Sequence, residues 1–199
     1  MLPRFRLTQL ARRRRVFVPG ASVHITQRGN NRGRIFSDDD DHDVFLAFLS
    51  EAAAASRVNI HSYTLMTTHY HLIVTPEHPT ALPDTIQVFG GRYVQYYNRK
   101  YGRTGTLWDG RYKPSIVPDD KYFYNCLRYL ARNPVQAGLV RTPAAYRWSS
   151  YRVHAYGEAS TWLVPHALYL ALGSTPCERQ TMYRLLCDSD VLELGSDPN

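Results

Sequence analysis

A chain of 199 residues, 44% hydrophobic and 13% aromatic, can bury one good core and is not a disordered segment. Its formal net charge of +7 creates a positive field that attracts polyanions, which favours nucleic acid as the partner. The 3 scattered cysteines argue against a disulfide framework or a structural zinc site, and no apolar run approaches the roughly 18 residues of a membrane span, so we expect a soluble, cytoplasmic protein with no membrane partner.

The N-terminal segment, residues 1–19, is a basic arm that contains the run ARRRR. Such a charge run can simply keep a surface solvated, but in a basic chain it also suits contact with phosphates. We therefore predict that the arm binds DNA through its arginines, which are Arg12, Arg13, Arg14 and Arg15.

The first predicted strand is SVHITQR, residues 22–28, in which β-branched and polar residues alternate. The GNNRG segment that follows predicts a turn, because glycine and asparagine tolerate positive φ. Cations flank this turn, so we predict that it contacts the backbone of a nucleic acid. The predicted contact residues are Arg28, Asn30, Asn31, Arg32 and Arg34.

A helix is predicted over residues 37–57, where a run of aspartates suited to a helix start precedes an apolar stripe. We interpret these aspartates as helix caps and not as a metal cluster. Residues 59–66 and 67–76 are then predicted as two strands that lie close enough in the chain to form an antiparallel hairpin.

The second predicted helix starts after Pro83 and runs to residue 102, with Gly90 and Gly91 weakening its middle. Its second half interleaves cations with tyrosines, a composition that suits phosphate contact and base stacking, although the tyrosines equally suit a core-facing helix surface. The cations that we predict to contact DNA here are Arg92, Arg99 and Lys100.

Residues 107–117 predict a strand interrupted by Pro114, and residues 118–140 predict a third helix capped by Asp119 or Asp120. The order strand, helix, strand, strand, helix, strand, helix is the split βαβ pattern of a ferredoxin-like α+β fold. We expect an antiparallel sheet with helices on one face and the other face free to receive a ligand. Residues 20–152 would form this domain, and residues 153–199 a helical C-terminal extension.

The hairpin strand TTHYHLIVTP places two histidines on either side of one tyrosine. A strand sends side chains i and i+2 to the same face, so His69 and His71 project side by side while Tyr70 points into the core. Two imidazoles can hold a divalent metal, but a working site needs a third ligand. With 8 histidines in the chain this spacing also arises by chance, so it needs a structural context.

The third helix offers a tyrosine and an amide on one face, because Tyr129 and Asn133 are four residues apart. Tyr122 and Tyr124 precede them, and periodicity alone does not choose a nucleophile among the three tyrosines. A half-buried tyrosine on a helix most often just packs in the core.

The segments THYHLIV, GTLWDGRYK and YNCLRYLARNPVQAGLVRTPAAYRWSSY supply that context. They resemble the characteristic blocks of REP-associated tyrosine transposases, members of the HUH single-strand endonuclease superfamily, and the resemblance extends from about residue 16 to about residue 151. In that family two histidines bind a metal, a helix tyrosine is the nucleophile and a polar residue one turn later completes the metal site. The resemblance assigns these roles to His69, His71, Tyr129 and Asn133.

This resemblance implies an enzyme that cuts and rejoins single-stranded DNA beside REP-like hairpins, through a 5′-phosphotyrosine and with Mg²⁺ or Mn²⁺ as cofactor. Arg111, in the GTLWDGRYK block, becomes a further predicted DNA contact. We expect a monomer. Two other functions remain open: a protein that only binds hairpin DNA or RNA, and a metal-dependent nuclease in which water attacks and Tyr129 merely packs.

Overall fold

The computed structural model describes residues 15–188, so the predicted DNA contacts Arg12, Arg13 and Arg14 lie outside the described part of the chain. In chain order its strands and α-helices are β1 (Val23–Arg28), α1 (Asp39–Ser56), β2 (Val58–Met66), β3 (His69–Pro76), α2 (Ala81–Lys100), β4 (Lys113–Ile116), α3 (Asp120–Gln136), α4 (Tyr151–Tyr156), α5 (Ala167–Leu170) and α6 (Pro176–Asp188).

The four strands form one sheet in the order β2-β3-β1-β4, and each neighbouring pair is antiparallel. This order and the alternation of strands and helices confirm the predicted ferredoxin-like α+β fold. In the register of β1 with β3, Arg28 lies opposite His69 and Thr26 lies opposite His71. Directly opposed residues of an antiparallel pair share a face, so these four side chains leave the sheet on the same side.

Helices α1 and α2 cover one face of the sheet. Tyr70 is fully buried there, and its ring packs against Phe45 of α1 and Phe89 of α2 with centroids 5.0 Å and 6.1 Å away. The Tyr70 hydroxyl donates to Gln27 Oε1 at 2.8 Å, so its polar end is satisfied within the core. The prediction that Tyr70 faces the core is confirmed.

Helix α3 lies on the opposite face, where Ile73 of β3 packs with Phe123 and Leu127. The sequence led us to expect that this face would be open. It is instead partly covered, because Ile73 and the apolar side of α3 bury each other. The part of this face that could bind a ligand is the set of polar side chains of β1 and β3 beside α3.

Helix starts follow the aspartates predicted to cap them. Asp38 caps α1 in a reciprocal capping box with Asp41, and Asp119 caps α3 by accepting from the Tyr122 amide at 2.8 Å. Helix α2 begins at Ala81 and not after Pro83, because a proline in the first helical turn removes only an N–H that has no partner within the helix.

The chain after α3 returns to the sheet and covers the outer edge of β2. The Leu65 amide donates to the Trp148 carbonyl at 2.8 Å, and the Val164 amide donates to the Ile60 carbonyl at 2.9 Å. These bonds satisfy backbone groups that an exposed edge strand would leave open. Within residues 15–188 no helix has the length and apolar character needed to cross a membrane.

Candidate active site

The two histidines of β3 project toward α3 as the strand alternation predicts. The His69 and His71 ring centroids are 5.0 Å apart and the rings are nearly perpendicular. His71 is buried, with 3% of its surface exposed, whereas His69 is partly exposed at the start of β3. The pair therefore has one inner and one outer imidazole.

Helix α3 is anchored over this pair by an unusual hydrogen bond. Pro134 has no amide hydrogen, so the carbonyl of Leu130, one turn earlier, lacks its ordinary helical donor. The hydroxyl of Thr64 donates to that carbonyl instead, at 2.8 Å, and Thr64 lies directly opposite His71 in the sheet. The proline thus frees a backbone acceptor that positions the helix against the histidine row.

Tyr129 is the helix tyrosine that meets the histidines. Its ring centroid is 5.2 Å from that of His71 and 6.1 Å from that of His24, with both imidazoles steeply inclined to it. Tyr124 points elsewhere, since its hydroxyl donates to the Leu168 carbonyl at 3.0 Å. Tyr122 hydrogen bonds to Ser115 of β4. The geometry separates three tyrosines that periodicity could not.

Asn133, one turn beyond Tyr129, reaches the outer histidine. Its side chain hydrogen bonds to the His69 imidazole, and 9% of its surface is exposed. The fold therefore brings together all four residues that the family resemblance assigned to the chemistry: two imidazoles, one amide and one phenol.

Burial keeps the imidazoles neutral. It lowers the pKa of His71 well below 6.5, and the nearby charge of Arg28 acts in the same direction. Burial and Arg28 also lower the pKa of His69, while its hydrogen bond with Asn133 opposes them. Neutral imidazoles are the form that binds metals.

A divalent ion fits these donors. His71 Nε2 is buried with no hydrogen-bond partner among the described residues, while its Nδ1 lies 3.0 Å from Thr26 Oγ1 and 3.1 Å from His24 Nε2. Residues 15–188 contain no group of three His, Cys, Asp or Glu side chains that could hold a metal. A metal here would therefore need the amide oxygen of Asn133 beside the two imidazoles.

The predicted DNA contacts at the end of β1 adjoin this site. Arg28 lies opposite His69, and the loop that follows exposes Asn30, Asn31, Arg32 and Arg34. Backbone hydrogen bonds hold the loop to the β2–β3 turn and to residues 107–109. Gly29 is required at its start, since a Cβ there would lie 2.2 Å from the Gly33 carbonyl oxygen.

The predicted contacts on α2 lie on the other side of the sheet. Arg92 pairs with Glu51 at 2.7 Å, and Lys100 pairs with Asp38 at 2.7 Å and with Asp41 at 3.0 Å. These ion pairs tie α2 to α1, away from the histidines. Arg99, at the end of the same helix, is exposed.

Two further predicted arginines lie near the segment before β4. Arg111 is exposed just before that strand. Arg15 hydrogen bonds to the Tyr112 carbonyl and stacks over the Tyr112 ring at 4.7 Å. The last arginine of the basic arm is therefore held beside the segment that carries Arg111.

Sequence reasoning missed three side chains of this face. His24 and Thr26 contact His71, and Lys113 of β4 lies opposite Thr26 with its side chain exposed. The alternation in HITQR could have found the first two, because His24, Thr26 and Arg28 are spaced by two residues. The position of Lys113 could be found only from the register of β4 against β1, which the sequence does not reveal.

A fourth missed residue is Asn125, one turn before Tyr129 on α3. Its surface is 4% exposed, and neither atom of its amide has a hydrogen-bond partner in the described part of the chain. Its spacing of four residues from Tyr129 places it on the same helix face.

The chain belongs to the IS200-like transposase family, whose sequence model matches residues 17–133. This makes it a DNA-processing enzyme of the single-tyrosine transposase class, as the sequence resemblance implied. No curated relative matches the chain by sequence.

The fold is similar to that of a REP-associated tyrosine transposase bound to a REP hairpin, with 15% identity, a TM-score of 0.58, and coverage of 79% of this chain and 93% of that chain. A structure assigned as a transposase from Deinococcus radiodurans is 18% identical with a TM-score of 0.42, covering 65% of this chain and 95% of that one. The tRNA(His) guanylyltransferase of Saccharomyces cerevisiae is 12% identical with a TM-score of 0.46, covering 90% and 83%. These last two likenesses are too low to carry an argument.

Proposed function

We propose that this transposase is a metal-dependent single-strand DNA endonuclease and strand transferase of the HUH type, acting beside REP-like hairpins. The observation that carries the proposal is the position of Tyr129, whose ring lies 5.2 Å from that of His71, a buried imidazole with an unpaired Nε2. Asn133, on the same helix face, is bonded to His69. Most buried nitrogens in folded proteins have a hydrogen-bond partner, so the unpaired Nε2 of His71 supports a ligand at this position.

His69, His71 and Asn133 would hold a divalent ion, Mg²⁺ or Mn²⁺. When bound, the ion would polarise the scissile phosphodiester and offset the negative charge that builds on its oxygens. The chain contributes two neutral imidazoles and an amide, which leave the net charge of the ion available to the phosphate.

Tyr129 would be the nucleophile. Its phenolic oxygen attacks phosphorus, a bond between that oxygen and phosphorus forms, and the bond from phosphorus to the 3′ oxygen breaks. The phenol proton leaves the tyrosine, and the departing oxygen gains a proton to become a 3′-hydroxyl. The 5′-phosphotyrosine conserves the energy of the bond, so attack by another 3′-hydroxyl can rejoin the DNA and restore the phenol.

The substrate would approach beside β1. Arg28 and the exposed loop with Asn30, Asn31, Arg32 and Arg34 adjoin the histidines, and Lys113 projects from the same sheet face. These cations and amides suit phosphates and unpaired bases. The similar structure that holds a REP hairpin supports a hairpin-bearing substrate for this chain.

The remaining predicted contacts would extend this surface. Arg15 and Arg111 would bind phosphates near β4, together with Arg12, Arg13 and Arg14 of the arm. Contact of DNA with Arg92, Arg99 and Lys100 stays a prediction, and the ion pairs of Arg92 and Lys100 with α1 argue for a structural role.

We also propose that the protein acts as a monomer in the cytoplasm. Residues around Trp148 and Val164 cover the β2 edge, and Pro114 removes a backbone donor from β4 at the other edge, which limits pairing between two sheets. Cys126, Cys177 and Cys187 are all free, which suits a reducing compartment. Light scattering at micromolar concentration tests the oligomeric state.

The decisive experiment incubates the protein with end-labelled single strands that carry a hairpin and a flanking tail, with Mn²⁺, Mg²⁺ or EDTA. A metal-dependent product that stays with the protein on a denaturing gel supports the proposal. Cut DNA without a protein adduct would identify water as the nucleophile, and binding without cleavage would leave a hairpin-binding protein.

A further inference from the structure

A third histidine lies behind the metal-facing pair. His24 of β1 is buried, with 1% of its surface exposed, and its Nε2 is 3.1 Å from Nδ1 of His71. The planes of the two rings are inclined by only 20° with centroids 5.3 Å apart, and the centroid of the His24 ring lies 6.1 Å from that of Tyr129. The mechanism proposed above gives His24 no role.

We propose that His24 is a positioning residue, which accepts the Nδ1 hydrogen of His71 and so keeps the lone pair of His71 on Nε2. The inference rests on the metal site of the proposed function. A hydrogen bond between two neutral imidazoles has one donor and one acceptor, so only two arrangements are possible. They differ in the atom of His71 that carries the proton.

In the first arrangement, His71 donates from Nδ1 and its buried Nε2 carries a lone pair. In the second, His24 donates, and His71 carries a hydrogen on Nε2. That hydrogen would be buried with no acceptor among the described residues, and the nitrogen could not bind a metal. The first arrangement leaves a lone pair that a cation satisfies, so the unpaired Nε2 favours it.

Thr26 is the competing partner, since its hydroxyl lies 3.0 Å from the same nitrogen. A hydroxyl rotates and can either donate or accept, so Thr26 alone does not select a tautomer of His71. The His24 ring is fixed by its burial and by its positions beside the rings of His71 and Tyr129. The geometry therefore assigns the selection to His24.

The test compares His24→Leu, which removes the acceptor, with His24→Gln, which can place an amide oxygen near the position of Nε2. Thr26→Val is the matched control, because it removes the competing hydroxyl with little change in volume. Thermal unfolding of each variant checks that the fold is kept. The readouts are the affinity for Mn²⁺ in the absence of DNA and the ¹⁵N NMR shifts of the His71 ring in the metal-free protein.

Loss of a partner that orients a metal-binding histidine typically weakens metal affinity by about 10- to 100-fold. We expect that loss in His24→Leu, affinity within about threefold of wild type in His24→Gln and Thr26→Val, and an Nδ1-protonated His71 in the wild type. Wild-type affinity in His24→Leu, or a large loss in Thr26→Val alone, would overturn the role of His24.

The ¹⁵N shifts are measured on the wild type, so this test does not depend on whether any variant folds. An Nε2-protonated His71 in the metal-free wild type would by itself overturn the inference. The proposed function is tested separately by the covalent DNA adduct of the wild type. If the wild type forms the adduct but its His71 is protonated on Nε2, the positioning role of His24 is rejected and the proposed function stands. A wild type with no adduct and no Mn²⁺ binding would overturn both.

Discussion

The two faces of one four-stranded sheet differ in chemistry although the same strands build both. The face toward α1 and α2 carries apolar side chains, among them Ile25, Tyr70 and Leu72. The face toward α3 carries a row of polar ones, which are His24, Thr26, Arg28, His69 and His71. Alternation along each strand separates the two sets.

The apolar face is stabilised mainly by burial, whereas the other face holds many buried polar groups that each need a partner. Many have one, such as His61, whose Nδ1 donates to the Val164 carbonyl at 2.7 Å. His71 Nε2 and the amide of Asn125 have none in the described part of the chain. Unsatisfied buried groups beside Tyr129, the proposed nucleophile, are consistent with a site that binds a ligand.

The largest expected effect on the polar face comes from Tyr129→Phe, which removes one oxygen and little volume. We expect no covalent adduct and cleavage reduced by at least about 10³-fold, because the attacking atom is gone. Binding of hairpin DNA should stay within about threefold of wild type. Denaturing gels and fluorescence anisotropy measure the two quantities.

Tyr122→Phe and Tyr124→Phe are the matched controls for this change, since both tyrosines lie on α3 and bond to other partners. Both variants should still form the adduct. Mass spectrometry of the trapped complex after proteolysis locates the DNA, and attachment at either control tyrosine would reject Tyr129 as the nucleophile.

Removal of His69 or His71, the two proposed metal-binding imidazoles, should have the next largest effect. We expect His69→Ala and His71→Ala to reduce cleavage by at least about 100-fold, since two remaining donors hold a divalent ion weakly. Circular dichroism and hairpin binding should change little. A wild-type cleavage rate at saturating Mn²⁺ in either variant would exclude that histidine from the metal site.

The apolar face should respond in stability and not in chemistry. Leu72 lies on the same strand as the histidines, but its side chain points the other way, into the core. The test on this face is Leu72→Ala. We expect the free energy of unfolding to fall by about 2–5 kcal/mol, measured by urea titration, because a cavity remains. Cleavage well below the unfolding midpoint should stay within about threefold of wild type, and a large loss would show that the two faces are coupled.

The fold was largely predictable because each element carries a local signal. The alternation along the strands, the capping of two helices by Asp38 and Asp119, and the element order were enough to predict the sheet. The predicted start of α2 was wrong, since a proline near a helix start is compatible with several boundaries. The packing of α3 against Ile73 on the polar side of the sheet was not predicted, because it depends on contacts between segments that are distant in the sequence.

The site was predictable only in part. The spacing of His69 and His71 predicted their shared face, and the family resemblance identified Tyr129 and Asn133. His24 and Lys113 depend on how β1 pairs with β3 and β4, which is a property of strand register. The support that Thr64 gives to α3 arises from Pro134 through a tertiary contact, and a linear pattern does not reveal it.

Buried histidines should also make the free energy of unfolding of the protein depend on pH. Burial lowers the pKa of His61 and of His154 from 6.5 to about 4. Between these values the unfolded chain binds more protons than the folded one, so stability is full above pH 6.5 and falls toward pH 4. We expect a loss of about 2 kcal/mol for each histidine between pH 7 and pH 5, measured by urea unfolding.

His61→Gln should remove the part of this dependence that comes from His61 and leave the part from His154, because the amide can hydrogen bond to the Val164 carbonyl and does not titrate. Leu72→Ala should lower stability equally at both pH values, since a leucine side chain does not titrate. A His61→Gln variant whose stability falls as steeply as that of the wild type would exclude His61 from the pH response.

The smallest expected effect separates the cations of the two faces. Arg34, in the exposed loop beside the site, should contact a phosphate, whereas Lys100 is engaged by Asp38 and Asp41 on the far side. Affinity for hairpin DNA should fall steeply with salt in the wild type, because neutralised phosphates release counterions. Arg34→Ala should weaken binding a few-fold and reduce the slope of log affinity against log salt by about 0.7 to 0.9, the value for one phosphate contact. Lys100→Ala should leave that slope unchanged, and an equal reduction in both variants would show that DNA extends over α2.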